Sequence, residues 1–600
     1  MVFEQSTLLS AVLDNPAARD VVQRYLPGVI NSPLGFQLKA LPLSRIVERE
    51  SVAVSARDKA PLADETVRNN FWQEVSGAFD GWQPAPPLPE VVQTPSRDYE
   101  KSSVVAASAT LQAPVSAARW GIYEIRIDGP SHGNPFLEVD LWADFSHGEK
   151  TIRMGGFYDG AGVYLIRFMP EHEGQWSFVV GSSARSLNGL AGSFDCLPPA
   201  SGVHGPVRVK DGFHFAHADG TPYLPIGTTA YAWTHQDHAV QDRTLETLEG
   251  SGFTKMRMAV FPKSYMFNTN EPVLYPFSRK ADTEDQDLTG WDYTRPNPDF
   301  FHHLERQILR LGQLGIEADL ILFHAYDRWG FSTMTPASDD MFVRYVVRRL
   351  AAFRNVWWSM ANEYDLLYSK SEDDWERLAR VVSDNDPFSH LNSIHNCLTF
   401  YDHHRPWVTH CSIQRIDVYR TSENTDDWRK QWGKPVVIDE CAYEGNIDQG
   451  WGNISGQEMT RRFWEGAVRG GYVGHGETYT NNRDELWWSK GGNLVGSSPA
   501  RIAFLAELIR QSPTGQIDPQ ESDWDVPYGG VKDQYYLLYF GLSQPTYRTF
   551  SLDPAIAYDV DIVDTWAMTI DAQPEPVRGS FQLELPGKPY IAVRLRARSE

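Results

Sequence analysis

Cysteine is scarce: Cys196, Cys397, Cys411 and Cys441 are the only four in 600 residues, and no two form a CxxC pair. That excludes a disulfide framework and a cysteine-rich zinc site, and fits free thiols in a reducing compartment. No window approaches the ~18 uninterrupted apolar residues of a membrane span. The opening MVFEQSTLLSAVLDNPAARD also lacks a basic segment followed by an unbroken apolar stretch, so the expectation is a soluble cytoplasmic protein. Positive charge is in deficit, with 55 Lys and Arg against 78 Asp and Glu and a net charge of −23. Such a field repels phosphate backbones and anionic head groups, so neither nucleic acid nor a membrane is an expected partner. No GxGxxG or GxxxxGKS phosphate cradle and no HExxH is present, which leaves no cofactor and no metal expected.

Core-forming material is plentiful, at 42% hydrophobic and 22% charged residues. A disordered, collagen-like or coiled-coil chain is excluded. At ~150 residues per domain the length predicts roughly three to five modules. Aromatics are unusually abundant, with 20 Trp, 26 Tyr and 29 Phe, many beside Gly, Pro, His and Asn. Those neighbours place many of them in loops around a site.

Residues 6 to about 80 read as helical, with Leu8, Leu9, Val12 and Leu13 at helical spacing and Asn15-Pro16 starting a second helix that carries Val21, Val22 and Tyr25. The Pro-rich WQPAPPLPEVVQTPS at 82–96 cannot continue a helix and reads as a linker. From Trp120 the period changes to two, in YEIRIDG, PFLEVDLWADFSHG, TIRMGGFYDG, GVYLIRFMP and GQWSFVVG, short alternating runs cut by turn residues. Between about 205 and 510, strand and helix alternate through eight strand candidates, the pattern of a (β/α)8 barrel. A doubly wound open sheet is the rival, and it lacks its usual phosphate loop. Short alternating strands return in YYLLYFG, YDVDIVDTW, SFQLELP and YIAVRLRA. The expected division is a helical cap and linker at 1–95, an N-terminal β-sandwich at 96–204, an α/β TIM barrel at 205–510 and a C-terminal β-sandwich at 511–600.

A barrel assembles its site from the C-terminal ends of its strands. Gly227-Thr228-Thr229 ends the first, with Trp233 and His235 beyond, and the second carries Arg257. His324 ends the third, followed by Tyr326, Asp327 and Trp329, and Asn362-Glu363 ends the fourth. His395-Asn396 close the fifth, His410 and Gln414 lie near the end of the sixth, Glu440 closes the seventh, and His475, Glu477 and Tyr479 close the eighth. Glu363 and Glu440 each follow an apolar run, VWWSMAN and PVVID, where a carboxylate costs desolvation unless it is hydrogen-bonded or used. Two carboxylates ~5–5.5 Å apart suit retaining glycoside hydrolysis.

At these residues the chain resembles the clan GH-A retaining glycosidases, which carry an acid/base Glu in an Asn-Glu pair after strand four and a nucleophilic Glu ending strand seven. The run from Gly155 to Gly160 followed by VYLIRFMPEHEGQWSF resembles the β-sandwich that precedes the barrel in bacterial glycosidases. The stretch Glu440-Cys-Ala-Tyr-Glu-Gly445 is similar to the apiosidase-like families. The resemblance spans about 120–600. It implies Glu363 as acid/base and Glu440 as nucleophile, with Arg257 and Asn362 as donors that keep Glu440 ionised and grip the sugar. Trp357 and Trp358 beside Glu363 would favour its protonated form.

Glu444, four residues after Glu440, is an alternative nucleophile, and Asp365 and Glu477 are further rim carboxylates. Trp233, Trp329, Tyr443 and Trp451 are candidates for a stacking platform. His324, His395, His410 and His475 are candidates to donate to sugar hydroxyls, while the pairs His302-His303 and His403-His404 read as solvated. The function expected is a retaining exo-glycosidase acting on small oligosaccharides or glycosides. The 262–298 loop would wall off one end of the cleft, and the 6–80 helices would be a candidate homo-oligomer interface. An inactive carbohydrate-binding barrel and a metal-assisted hydrolase are the alternatives.

Overall fold

Strands covered on both faces read as continuous apolar runs, and EADLILFH and VWWSMAN are buried at every position. The computed structural model describes residues 3–30, 38–39, 41–51, 60–83, 94–281, 283–284, 287–417, 419–483, 485–521 and 525–598. Eight parallel strands form its centre: β1 Gly227–Thr229, β2 Lys255–Ala259, β3 Glu317–His324, β4 Val356–Asn362, β5 Asn392–Ser393, β6 Cys411–Gln414, β7 Val436–Glu440 and β8 Tyr472–His475. β1 pairs with both β2 and β8, and a bridge between His395 and Ser412 joins the β5 segment to β6, so the sheet curls into a barrel.

Among the described residues a helix follows every strand except β5, and five of these seven helices open on a capping side chain. The helix Pro298–Gln313 opens on Asn297, whose side chain accepts from Asp299 N, with Pro in the first turn. It buries Phe301, Leu304, Ile308 and Leu311, the face the spacing predicts.

The barrel interior is partly ionic. Lys255 Nζ lies 2.6 Å from Asp319 Oδ2 and 2.7 Å from Asp439 Oδ1. Its base is stopped by a three-stranded hairpin unit, Val207–Lys210, His214–His217 and Pro222–Tyr223, whose Phe215 and Tyr223 pack on Trp357.

Before the barrel, four- and five-stranded sheets face each other, and YEIRID alternates buried and more exposed positions as period two requires. Tyr123 stacks on Phe194 and Phe145 on Phe168 between them. This unit is tied to the barrel by buried charge. Arg167 reaches Glu305 on the barrel helix, and Arg349 bonds Glu305 Oε1 and Asp159 Oδ1, each at 2.6 Å. Burial raises the Glu305 carboxyl, but Arg167 and Arg349 outweigh it and hold the group below its ordinary value. Arg349→Met removes one partner of a buried pair and should cost ~3–5 kcal/mol. A depressed folded pKa contributes stability above the unfolded carboxylate value and loses it as pH falls through the folded one. Urea unfolding of wild type and variant should therefore show a gap that is largest at neutral pH and shrinks in acid.

The N-terminal helices, including Pro16–Tyr25 and Glu65–Ala78, enclose a separate core around Leu9, Val22, Ile46, Phe71 and Val75. Most of the Pro-rich segment, 84–93, lies outside the described residues. At the C-terminal end a six-stranded antiparallel sheet packs with the antiparallel two-stranded sheet Tyr547–Ser551/Ser580–Glu584 around Leu538, Phe550 and Val560. Among the described residues no helix is long and apolar enough to cross a membrane.

Candidate active site

β4 ends in a sharp turn. Glu363 takes a left-handed conformation, φ 52° and ψ 57°, which costs a non-glycine residue ~1–3 kcal/mol unless its surroundings enforce it. They do so here: Tyr364 N donates to His395 O on the neighbouring strand, and Leu366 N returns to Glu363 O, each at 2.9 Å. The turn places the Glu363 carboxyl opposite Glu440, the last residue of β7.

Glu440 Oε1 accepts from Arg257 Nη1 at 3.1 Å and from the Tyr231 hydroxyl in a short contact. Arg257 Nη1 also donates to Tyr231 Oη and to Asn362 Oδ1, both at 2.9 Å. The Asn362 amide, expected to serve Glu440, donates instead to Glu363 Oε2 at 3.2 Å. Tyr326 donates to the same oxygen. With its amide nitrogen facing the carboxylates, Gln414 donates to Glu440 Oε2 at 3.1 Å and Glu363 Oε1 at 3.2 Å. One nitrogen reaching both groups limits those two oxygens to at most the sum of the two lengths, so the carboxylates face each other across one small site.

Burial pushes the Glu363 carboxyl above its ordinary value and the nearby Glu440 charge pushes it further, against the smaller opposing pulls of Lys263 and Tyr326. Trp357 and Trp358, expected around Glu363, lie elsewhere. Trp357 donates to Glu317 and Trp358 to Asp386. Five or six residues of strand at ~3.3 Å each separate them from Glu363, and Tyr326 supplies the aromatic contact.

The two glutamates open into a cavity of about 350 Å³ lined by Lys263, Tyr265, Phe267, Tyr326, Tyr443, Trp451 and Trp488, among others. Trp488 is central to the aromatic wall, 4.9 Å from Trp451 and 5.4 Å from Tyr265 and Tyr443, centroid to centroid.

Of the residues expected from strand ends, Arg257, Asn362, Glu363 and Glu440 thus form one hydrogen-bonded cluster, and Tyr443 and Trp451 line the cavity. His395 lies behind Glu440, Nε2 to Oε1 3.9 Å, and burial and Arg257 hold its imidazole well below the ordinary value.

Others point elsewhere. Trp233 is fully buried with Nε1 against Met258 Sδ, and Trp329 is buried with Nε1 donating to Glu271. His324 faces Phe261 O, and His410 precedes β6, so it sits at the base of the barrel against Phe215 and Trp357. His475 is buried against Thr228. Glu444 accepts from Ser497 N and Ser498 N, and Glu477 from Val495 N and Gly496 N, so both carboxylates hold the turn into the helix Ser498–Arg510. Asp365 likewise gathers the backbone N–H groups of 397–399. His303 and His403, expected in solvent, are buried.

Glu444, His475 and Glu477 offer ligand atoms within 4.8 Å of one another, the group of described residues with metal-ligating spacing. Burial raises Glu477 to about 7.

Tyr231, Lys263 and Trp488 were not anticipated, and Tyr326 and Gln414 were noted at strand ends without a role. Tyr231 and Tyr326 lie two residues past β1 and β3, so reading each strand two positions further finds them. Lys263 and Trp488 carry no such signal, because Lys263 reaches the site from a loop and Trp488 from the short helix Trp487–Lys490.

A family model described as apiosidase-like, catalytic domain, matches residues 209–500. Two models of domains of unknown function, DUF5060 and DUF5605, match 116–183 and 524–596. A solved structure from Bacteroides vulgatus ATCC 8482, assigned as a glycoside hydrolase, is 38% identical to this chain at a TM-score of 0.77, covering 81% of this chain and 100% of that one. A second, named a glycoside hydrolase, is 14% identical at a TM-score of 0.50 and covers 66% of this chain and 98% of that one, a likeness of fold. No curated protein matches the chain. Barrel and relatives together define a glycoside hydrolase, an enzyme whose substrate is carbohydrate. The chain belongs to the glycoside hydrolases, with an apiosidase-like catalytic domain over residues 209–500.

Proposed function

We propose that the protein is a retaining exo-glycosidase acting on small glycosides by double displacement, with Glu440 as nucleophile and Glu363 as acid/base. The observation that carries this reading is the Gln414 amide within hydrogen-bond reach of both carboxylates, a closeness that suits the ~5–5.5 Å pair of a retaining enzyme.

Each residue has a task. Arg257 and Tyr231 donate to Glu440 Oε1, which fixes the carboxyl and leaves Oε2 on the side of Gln414. Glu440 attacks the anomeric carbon while Glu363, whose protonated form burial favours, gives its proton to the departing glycosidic oxygen. The Glu363 carboxylate then takes a proton from water, the hydroxide adds to the anomeric carbon, and Glu440 leaves. Glu444 is unsuited to attack because the Ser497 and Ser498 donors hold it against the helix turn. Tyr443, Trp451 and Trp488 present rings on which the C–H face of a sugar stacks.

Support for exo action comes from the 262–298 loop. Its Tyr265, Met266 and Phe267 line the cavity, Met266 Sδ accepts from Gln449 Nε2 at 3.6 Å, and Phe267 meets Trp451 edge-on. These contacts join the loops after β2 and β7 over one side, as a blind pocket requires. The volume lies at the low end of the ~300–1,000 Å³ of small-ligand sites. The test is a parallel screen of aryl pyranosides and furanosides of both anomers, with Glu363→Gln and Glu440→Gln as controls. Release of single sugars from one chain end is expected. Internal cleavage of a longer oligosaccharide would overturn the exo assignment.

A further inference from the structure

Buried cations in this protein come with carboxylates. Lys255 has Asp319 and Asp439, Lys370 has Asp339, Arg257 has Glu440, and Arg349 has Glu305 and Asp159. Lys263 breaks the pattern. Its side chain is buried, yet among the described residues no carboxylate lies within ion-pair distance of Nζ and no acceptor takes its protons. Aromatic faces surround the ammonium instead: Tyr231 at 3.6 Å, Tyr326 at 4.1 Å, Tyr265 at 4.8 Å and Trp488 at 5.5 Å from Nζ to ring centroid.

Ring faces attract a cation, but they give its N–H groups nothing to bond and do not restore the hydration lost on burial. Burial accordingly lowers the Lys263 ammonium to about 8, against the opposing pull of Glu363 and Glu440. The cage fixes the ammonium in place while leaving its donors unused.

Lys263 also lines the cavity that holds both glutamates. Lys263 is the one cation among the described residues that line that cavity, while Glu440 is already in ion-pair contact with Arg257 and Glu363 is neutral when it carries the proton it gives to the leaving group. A neutral sugar would leave that desolvated charge uncompensated, since a hydroxyl needs only a neutral partner such as Gln414. A carboxylate on the sugar supplies a negative charge beside the ammonium and accepts the idle N–H donors.

We propose that Lys263 is an anion-reading subsite and that the sugar bound against Glu440 is a uronic acid whose carboxylate meets the caged ammonium. The inference rests on the glycosidase reading for its placement of the sugar, and its test separates the two. Calorimetry at pH 6.5 compares D-glucuronate, D-galacturonate, D-mannuronate and L-guluronate with the corresponding neutral hexoses, on wild type and on Lys263→Met, which keeps an unbranched apolar chain in the cage. In parallel, 4-nitrophenyl uronides are compared with the matching hexosides.

At least one uronate should bind about 10- to 100-fold more tightly than its neutral partner, as a charge-assisted contact predicts. That preference should collapse in Lys263→Met and fade in wild type as pH rises through the ammonium's titration. Equal binding of uronate and hexose, no binding by either, or a preference that survives Lys263→Met would overturn the subsite. Uronate binding lost in Lys263→Met but with no hydrolysis of any aryl glycoside would keep the subsite and sink the glycosidase reading.

Discussion

Glu440→Gln should lower kcat/KM on an aryl glycoside by on the order of 10⁴-fold or more, about 5.5 kcal/mol of transition-state stabilisation. The amide keeps the shape of the carboxylate but cannot form the bond to the anomeric carbon, and it places an N–H or a neutral oxygen where Arg257 and Tyr231 now donate to a charge. Circular dichroism should be unchanged, because the barrel strands and the Lys255–Asp319–Asp439 cluster below the site do not depend on that charge. A loss under tenfold with the fold intact would remove Glu440 from the chemistry.

Glu363→Gln should act differently, by an amount that depends on the leaving group. With an alkyl or poorly activated aryl glycoside the loss should be roughly 10²- to 10⁴-fold, the usual contribution of a positioned acid. With a 2,4-dinitrophenyl glycoside, whose oxygen departs without a proton, formation of the glycosyl-enzyme should be little slowed. Azide, which needs no general base, should then restore turnover.

The pH dependence has a definite sign. A raised carboxyl pKa keeps Glu363 protonated to higher pH, so kcat/KM should fall as pH rises through that value. Glu440 is the second cause of the elevation after burial. Glu440→Gln should therefore move the Glu363 titration down, read directly by carboxyl ¹³C NMR of the variant.

The parts of this site that the sequence announces are those whose position is set by strand period alone. Glu363 and Glu440 follow apolar runs long enough to cross the barrel, and Arg257 stands two residues along from Lys255 on the same face of β2. Tyr443 follows the same logic three residues past β7, whereas Trp451 lies eleven residues past it on the short helical turn Gly450–Gly452. His410 shows how little tolerance there is: β6 begins at Cys411, so an error of a few residues moves a side chain from the mouth to the base. Trp233 and Trp329 pass the strand ends but turn into the core, because a large apolar ring gains more from packing than from the rim. Of the aromatics beside Gly, Pro, His and Asn, Trp451 between two glycines and Phe267 beside Asn268 do line the site, whereas Tyr265 and Trp488 have no such neighbour. Lys263 in FPKSYMF reads as an ordinary surface lysine until the three loops that cage it are folded together. Glu444 and Glu477 look like rim acids in sequence, and only the N–H groups of 495–498 reveal them as supports for a helix turn.

The most direct measurement is ¹H NMR of the sugar first released from whichever aryl glycoside the enzyme cleaves, recorded before mutarotation. Two successive displacements at one carbon predict that the new hemiacetal appears with the anomeric configuration of the substrate. First appearance of the opposite anomer would contradict the account, because Glu440 would then have activated a water instead of forming a bond.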